Sequence, residues 1–196
     1  TNGGYDLYTV MLQEAGHTLG LPNSSSSTSA MYTRYLGARS GLSSADVTNI
    51  RALYGARSPD RFEGSTGNSA FTTETRLQFV GTPSTLKLAD PTTGLEPYVA
   101  AGDLTTLSDK DTYAVTAKSS SFSVYLRTSK ISLLQAKVSV YGPNQQLIQA
   151  RAATNPLNGD LTLDVSGATN GATYYVRVEP NVGTVFGIGS YRLAVA

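Results

Sequence analysis

The sequence predicts an α+β chain, in which a short helical segment precedes an all-β antiparallel sandwich of the jelly-roll type. Apolar residues recur at helical spacing over residues 1–57, and the hydrophobic period changes to two over 71–196. Residues 58–70 are polar and rich in Pro and Gly, which is typical of a linker. We therefore expect two domains, 1–57 and 71–196, joined by that linker.

The first helix is predicted over residues 5–19. Leu7, Val10 and Met11 recur there at the spacing of one helix face. Gly20 follows the pattern, and glycine commonly ends helices because it adopts the left-handed conformation without a steric cost. The sequence therefore predicts one amphipathic helix near the start of the chain.

A second helix is predicted over residues 44–54. Ser43 is the expected N-cap, and Asp46 stands three residues later, where its carboxylate can reach back to the backbone at the helix start. Gly55 follows as the expected C-terminal signal. These two helices are the regular structure that we expect in the first domain.

Strands are predicted where β-branched and aromatic residues alternate with polar ones. Seven segments show this pattern: Arg76–Val80, Thr112–Ala117, Phe122–Arg127, Lys137–Tyr141, Leu161–Val165, Tyr174–Glu179 and Tyr191–Val195. Short turns such as YGPNQQ and SGATNGA separate them. Many short strands at regular intervals favour an antiparallel sandwich.

The composition excludes several classes of protein. The net charge is +1 and no basic run is interleaved with aromatic residues, so a nucleic-acid partner is not expected. No apolar run approaches the roughly 18 to 20 residues of a membrane span. The absence of cysteine excludes disulfides and thiolate metal sites. Few charged residues and many Ser, Thr, Gly and Tyr favour a secreted, extracellular protein.

The stretch LQEAGHTLGLPN has the frame of a zinc-protease helix. Such helices place two histidines at i and i+4 facing the metal, with a glutamate after the first as general base. A glycine three residues past the second histidine lets the chain deliver a third ligand. Gln13, Glu14, His17, Gly20 and Asn23 occupy these positions in order. The base and the middle ligand are present, but Gln and Asn replace the other two ligands.

Three motifs carry a family resemblance. DLYTVMLQEAGHTLGL resembles the active-site helix of matrixins, the metzincin family that contains the matrix metalloproteases. SSSSTSAMY, which includes Met31, resembles the methionine turn beneath the zinc, and LSSADVTNIRALYG is similar to the final helix. The resemblance implies that residues 1–57 are the C-terminal part of a zinc metalloendopeptidase domain, with Glu14 as base. It also implies an upstream part of the precursor.

The ligand set departs from the family. The chain contains one histidine, and neutral amide oxygens are poor zinc ligands. We expect a degenerate zinc site at Gln13, His17 and Asn23, with zinc weak or absent and no peptidase activity. Alternatively, His17 is a helix histidine bonded to backbone, Met31 is an ordinary core residue, or Gln13 replaces an original histidine.

The strand region resembles the bacterial pre-peptidase C-terminal domain, a sandwich appended to secreted proteases. PDRFEGSTGN, GDLTTLSDKDTYAVTA, NGATYYVRVEP and GSYRLAV carry this resemblance. It implies a module for processing, secretion or substrate targeting. Asp60, Glu63, Asp109 and Asp111 offer hard oxygen ligands for calcium. The alternative is that Asp109 and Asp111 are turn and strand-entry residues that backbone amides satisfy.

Three functional hypotheses remain open on the sequence. The first is an inactive matrixin-like homologue fused to a targeting sandwich. The second is a working peptidase, with Glu14 as base and metal held by His17, Asn23 and a further group. The third is a carbohydrate- or protein-binding sandwich whose helical segment is structural. Its binding face would use the tyrosines expected to be exposed, namely Tyr98, Tyr113, Tyr125 and Tyr141. The expected partner is a protein, a peptide or an extracellular polymer.

Overall fold

A computed structural model of the protein describes residues 4–77, 99–184 and 186–195. The chain divides into two compact units, Thr1–Arg57 and Ser58–Ala196. Within the described residues, both helices lie in the first unit and the strands of two sheets lie in the second. This arrangement confirms the predicted α+β class. Neither described helix has the length and the apolar run that crossing a bilayer requires.

The helices of the first unit are α1 (Leu7–Thr18) and α2 (Ser44–Tyr54). Asp6 caps α1, because its carboxylate accepts the backbone N–H of Thr9 at 2.8 Å. The helix therefore begins two residues later than the predicted start. Ser43 begins α2 with the predicted capping box, so the second helix has the predicted bounds.

The buried core of the first unit is small. Leu21, Ala30 and Met31 are the buried apolar side chains among its described residues. Met31 packs directly on Gly16 of α1, and a Cβ at that glycine would overlap its sulfur atom. Leu7, by contrast, is 73% exposed. The helical spacing in α1 thus marks a face that this unit leaves largely open to solvent.

One buried side chain ties the segment between the helices to α2. Asp46 accepts hydrogen bonds from the Ser29 hydroxyl, from the backbone N–H of Ala30 at 2.8 Å and from Ser43. Burial alone would raise the pKa of Asp46, but these hydrogen bonds outweigh burial and lower that pKa below its ordinary value. Both carboxylate oxygens of Asp46 therefore have donors.

The described residues of the second unit form strands in two sheets. In chain order they are β1 (Thr75–Arg76), β2 (Val99–Leu104), β3 (Asp111–Thr116), β4 (Ser121–Arg127), β5 (Ala136–Tyr141), β6 (Leu147–Ala152), β7 (Leu161–Ser166), β8 (Thr173–Pro180) and β9 (Gly189–Val195). One sheet has the order β1-β3-β8-β5-β6 and the other has the order β2-β9-β4-β7. Neighbouring strands are antiparallel, except that β1 and β3 are parallel. Both sheets contribute to one apolar core, as a sandwich requires.

Two described strands were not predicted. β2 consists mainly of small residues around Gly102, and β6 exposes almost every side chain, so neither shows an alternation of apolar and polar residues. The predicted strand Arg76–Val80 overlaps β1 at Arg76, and its residues 78–80 lie outside the described residues. The other six predicted strands coincide with observed ones to within a few residues at each end.

The tyrosines expected to form an exposed face differ in how far they are buried. Tyr113 is fully buried, because its side chain belongs to the core of the sandwich, so the prediction that it is exposed is wrong. Tyr125 and Tyr141 are half-buried. Tyr98 lies outside the described residues. The face of the strand on which each tyrosine lies therefore decides whether it reaches solvent.

Candidate functional site

Helix α1 holds the residues at the predicted zinc positions. Gln13 is half-buried, and its amide nitrogen donates to the carbonyl oxygen of Tyr32 at 2.9 Å. Because a carbonyl oxygen only accepts, this contact fixes which way the Gln13 amide is turned. Glu14 is exposed to solvent on the same helix. The side chain at the first ligand position is thus already bonded to the segment below it.

His17 lies one helical turn after Gln13 and bonds to backbone. Its Nδ1 lies 2.9 Å from the carbonyl oxygen of Leu21. In the neutral imidazole Nδ1 therefore carries the proton and Nε2 is a bare acceptor, which is the tautomer that metal-binding histidines use. Asn23 is exposed, beyond the turn at Gly20, whose φ is +88°. His17 keeps a ligand-ready orientation while its two partners are amides.

These residues do not fit a resident zinc ion. A structural or catalytic zinc site needs at least three imidazole, thiolate or carboxylate ligands. In the part of the chain that the structure describes, the one group of three His, Cys, Asp or Glu side chains close enough to share a metal ion contains neither Glu14 nor His17. One imidazole and two amides are a weak donor set for zinc.

The methionine-turn segment is folded as a well-packed loop under α1. Met31 is 2% exposed, and its carbonyl accepts the N–H of Ser24 at 2.7 Å. A cleft of about 570 Å³ opens beside this segment, and Gln13 is among the residues that line it. Neither Glu14 nor His17 lines the cleft. The matrixin-like segment thus has a groove, but Glu14 and His17 are not among the residues that line it.

A second candidate site lies in the other unit. Asp60, Glu63 and Asp111 each offer a carboxylate oxygen, and these ligand atoms all lie within 4.8 Å of one another. Asp60 is fixed by two backbone donors at 2.7 Å, the N–H groups of Phe62 and Asp103. Residues 58–70, predicted as a linker, therefore contribute two acids to a site that β3 completes.

Two oxygens of this acidic cluster lack hydrogen-bond donors. Glu63 Oε1 and Asp111 Oδ1 are buried and have no partner among the described residues. Burial, joined by the charges of Asp60, Asp109 and Glu63, raises the pKa of Asp111 to about 8 against the hydrogen bond from Tyr191. Burial and the Asp109 charge raise the pKa of Glu63 as well. The charges that act on Glu63 and Asp111 in the described part of the chain are thus those of other acids.

Asp109 has a different place from the other three acids. Its Oδ2 accepts from the backbone N–H and the hydroxyl of Thr105, at 2.7 and 2.9 Å. It therefore caps the β2–β3 turn, as the alternative interpretation of this residue expected. Its charge still acts on Glu63 and Asp111. The structure brings three of the four predicted acids together and places the fourth beside them.

Two buried tyrosines support the acidic cluster, and sequence reasoning missed both. The Tyr191 hydroxyl donates to Asp111 Oδ2 at 2.5 Å and lies 2.7 Å from the Tyr113 hydroxyl. Gly102 makes room for this pair, because a Cβ there would overlap the Tyr191 ring and hydroxyl. No local pattern signals a contact between residues 80 positions apart.

The N-terminal part of the chain matches a known family. The family model of the matrixins matches residues 1–55. Residues 1–55 are matrixin-like. The match covers 55 of 196 residues, so it describes the matrixin-like segment and not the sandwich. No curated protein matches the chain.

Several solved structures are similar to this chain. Aeromonas hydrophila PliG, a periplasmic inhibitor of g-type lysozyme, is 17% identical over 63% of this chain and 94% of its own, with a TM-score of 0.41. The pre-peptidase C-terminal domain of a Bacillus anthracis collagenase is 14% identical over 50% of this chain and 87% of its own, with a TM-score of 0.33. A family 6 carbohydrate-binding module is 16% identical over 71% of this chain and 91% of its own, with a TM-score of 0.30. At these TM-scores the likenesses assign no function.

Proposed function

We propose that this chain is part of a secreted, matrixin-like metallopeptidase homologue that lacks a working zinc centre. Its β-sandwich holds a divalent cation and serves processing, secretion or substrate targeting. The observation that carries the proposal is the contrast in donors: α1 offers one imidazole and two amides, whereas the acidic cluster offers three carboxylates with two bare, buried oxygens. Cation binding has moved, on this proposal, from the helix to the sandwich.

The loss of zinc follows from the bonding of α1. A zinc ion at this helix would need the Gln13 side chain as a ligand, but its amide nitrogen is held by the Tyr32 carbonyl. The amide oxygen is a neutral, hard donor, which zinc binds poorly compared with imidazole. His17 Nε2 alone supplies too little binding free energy to hold the ion. Glu14 then has no metal-bound water to activate.

Metal content tests this part of the proposal. The chain would be dialysed against zinc and then against metal-free buffer, and zinc would be counted by plasma mass spectrometry. We expect background zinc in the native sequence and a measurable rise in the double variant Gln13→His, Asn23→His. Peptide cleavage sensitive to a chelator should be absent from the native sequence. Stoichiometric zinc in that sequence would overturn the proposal and restore the working-peptidase hypothesis.

Calcium suits the acidic cluster better than zinc or magnesium does. Ca²⁺ takes six to eight oxygen ligands in flexible geometry, whereas Zn²⁺ prefers nitrogen and sulfur and Mg²⁺ requires a near-ideal octahedron. Asp60, Glu63 and Asp111 would hold the ion, with Asp109 adding negative charge from the adjacent turn. When bound, the ion supplies the positive charge that lets all three acids ionise together. Extracellular modules bind calcium with Kd values on the order of 10⁻⁴ to 10⁻³ M.

Calorimetric titration with CaCl₂ tests the cation site. We expect one calcium site in the native chain and its loss in Asp111→Asn, because that change removes a charge and a ligand oxygen. Asp164→Asn is the matched control: Asp164 is an exposed acid on β7 that bonds Ser123, outside the cluster. No heat of binding in the native chain up to about 10 mM calcium would refute the site.

A second candidate function is binding of a carbohydrate or a protein by the sandwich. The observation that favours it is a cluster of aromatic rings around an arginine on the outer face of the five-stranded sheet. This function is compatible with the first, since a cation site and a binding face can serve one targeting module.

A further inference from the structure

The outer face of the five-stranded sheet carries four side chains that we call the aromatic–arginine platform: Phe71, Tyr141, Tyr175 and Arg177. The ring centroid of Phe71 lies 5.0 Å from that of Tyr141 and 5.2 Å from that of Tyr175, both edge-on. The guanidinium carbon of Arg177 lies 4.4 Å from the Phe71 centroid and 5.4 Å from the Tyr141 centroid. All four residues are half-buried, so the platform is firmly held and still open to solvent.

Strand register places the platform on the side away from the core. In β8, Tyr174, Val176 and Val178 are buried in the core, so the residues between them face outward. Tyr175 stands directly opposite Tyr141 of β5, and Arg177 stands opposite Ser139. Arg177 Nε also donates to Thr112 Oγ1 of β3 at 3.1 Å. Directly opposed residues of antiparallel strands share a face, so β5 and β8 carry three of the four platform residues, and Thr112 of β3 holds Arg177 in place.

A buried hydroxyl beneath the platform has unused hydrogen-bonding capacity. Ser139 is 0% exposed, and its Oγ has no partner among the described residues. A buried hydroxyl without a partner is unfavourable, because it has lost its hydrogen bonds to water. Ser139 stands opposite Arg177 in the sheet, and because it is fully buried it lies beneath the surface that a ligand would contact.

The same face carries an excess of positive charge. Lys137 Nζ lies 2.8 Å from Glu179 Oε1, and Lys110 Nζ lies 3.8 Å from Glu179 Oε2. One acid therefore faces two lysines, and Arg177 adds a third cation. Arg76, on β1, is paired with Glu74 at 3.0 Å and leaves this excess unchanged. The face is thus positive on a chain whose net charge is only +1.

We propose that this face binds an anionic polysaccharide. The carboxylate or sulfate of an acidic sugar would pair with the outward edge of the Arg177 guanidinium, which matches planar anions in a bidentate way. Sugar rings would lie against Tyr141 and Tyr175, because the electron-rich face of an aromatic ring attracts polarised C–H groups. The inference deepens the proposed targeting role of the sandwich and names its partner.

An anionic glycan fits this surface better than the other polyanions do. Nucleic acids are held by many phosphate contacts from several cations, and here two of the three cations share Glu179. An acidic peptide would pair with the arginine but would gain little from two tyrosine rings on a flat sheet face. The rings and the arginine together match a chain that alternates apolar ring faces with charged groups.

Surface plasmon resonance of the native chain on immobilised glycans tests the inference. Polygalacturonate and heparin would be the probes, with neutral dextran and polyglutamate beside them, in calcium and again in a chelator. We expect binding to polygalacturonate or heparin, and the stronger of the two identifies carboxylate or sulfate as the group recognised. Dextran should give no signal, and polyglutamate should bind more weakly than the glycan.

Variants locate the binding on the platform. Arg177→Gln should weaken binding about tenfold or more, since a charge-assisted hydrogen bond is lost. Tyr141→Ala should weaken binding by roughly 3- to 10-fold. Arg177→Lys keeps the charge without the planar fork and should fall between native and Arg177→Gln. Lys118→Gln is the matched control, because it removes one positive charge from an exposed turn between β3 and β4.

Several results would overturn the inference. One is the absence of binding to both acidic glycans. Another is an equal loss in Lys118→Gln, which would mean that only net charge matters. Stronger binding to polyglutamate with no effect of Tyr141→Ala would identify an acidic peptide instead. Thermal melting of each variant checks that the sandwich is folded. If Arg177→Gln does not fold, Arg177→Lys still tests the role of the arginine. Calcium binding with no glycan binding would refute this inference alone and leave the proposed cation site standing.

Discussion

Among the described residues, each of the two units buries one aspartate, and the surroundings of the two aspartates are opposite in character. Asp46 of the first unit has hydrogen-bond donors on both oxygens, and its pKa is lowered. Asp111 of the second unit has one bare oxygen and other acids around it, and its pKa is raised to about 8. A buried carboxylate surrounded by donors stabilises a fold. One surrounded by acids is destabilising until a cation arrives, which is why we place the binding function in the second unit.

Removal of the Asp46 carboxylate should have the largest effect on stability of the changes considered for these two aspartates. Asp46→Ala leaves the donors of Ser29, Ala30 and Ser43 without their acceptor, at a cost on the order of 3 kcal/mol. A unit with so small a core should then unfold locally. Hydrogen exchange by mass spectrometry should show lost protection over residues 24–54. Glu14→Ala, which removes an exposed acid of the same unit, should leave the protection unchanged, and equal loss in both would contradict this role.

Calcium should remove the penalty at Asp111. At a free concentration of 100 times Kd, binding stabilises the folded state by about 2.7 kcal/mol, which raises Tm on the order of 5–15 °C for a unit of this size. The effect should be present at pH 8 and absent from Asp111→Asn. Scanning calorimetry with and without a chelator measures it. An equal rise in Asp111→Asn would show that the ion acts elsewhere.

The same carboxyl gives the calcium-free protein an unusual pH dependence. Because the folded-state pKa of Asp111 is raised, its contribution to stability is fully present below about pH 4 and is lost as the pH rises through about 8. The Tm of the sandwich in chelator should therefore fall between pH 5 and pH 9. Asp111→Asn should flatten this slope, and an unchanged slope in that variant would assign it to other groups.

Gly102 offers a smaller and more indirect test. Gly102→Ala would push Tyr191 away from Asp111, with a cost of about 1–3 kcal/mol for overpacking and weaker calcium binding. Gly41→Ala, at a site with nothing within 4 Å of the added Cβ, serves as the control. Calorimetric titration of both variants compares the calcium Kd. Native affinity in Gly102→Ala would mean that Tyr191 does not position Asp111.

Acid should act on the first unit in the opposite sense, with the smallest effect. The lowered pKa of Asp46 contributes stability that is present above about pH 4 and is lost as the pH falls through the folded-state value. Protection of residues 24–54 in hydrogen exchange, corrected for the intrinsic rate, should fall below pH 4. Protection that stays constant down to pH 2 would contradict the assignment.

Features that depend on neighbouring residues could be predicted from the sequence, and features that depend on contacts between distant residues could not. The capping box at Ser43 and the alternation in most strands are local, so a few neighbouring residues reveal them. β6 escaped prediction because an exposed edge strand needs no apolar alternation. The buried pair Tyr113 and Tyr191, and the need for Gly102, depend on contacts between distant strands. Family resemblance named the acids of the cluster, but only the fold separated Asp109 from the rest.

Strand β8 carries core residues and two of the four platform residues, Tyr175 and Arg177, at alternate positions. A one-residue deletion within it would turn the outward residues on one side of the deletion inward and bring the buried residues on that side to the surface. Insertions and deletions in this strand therefore disrupt the core. The outward face can change without that cost only by substitution at every second position. Relatives with altered ligand preference should keep the length of β8 and vary in its outward residues.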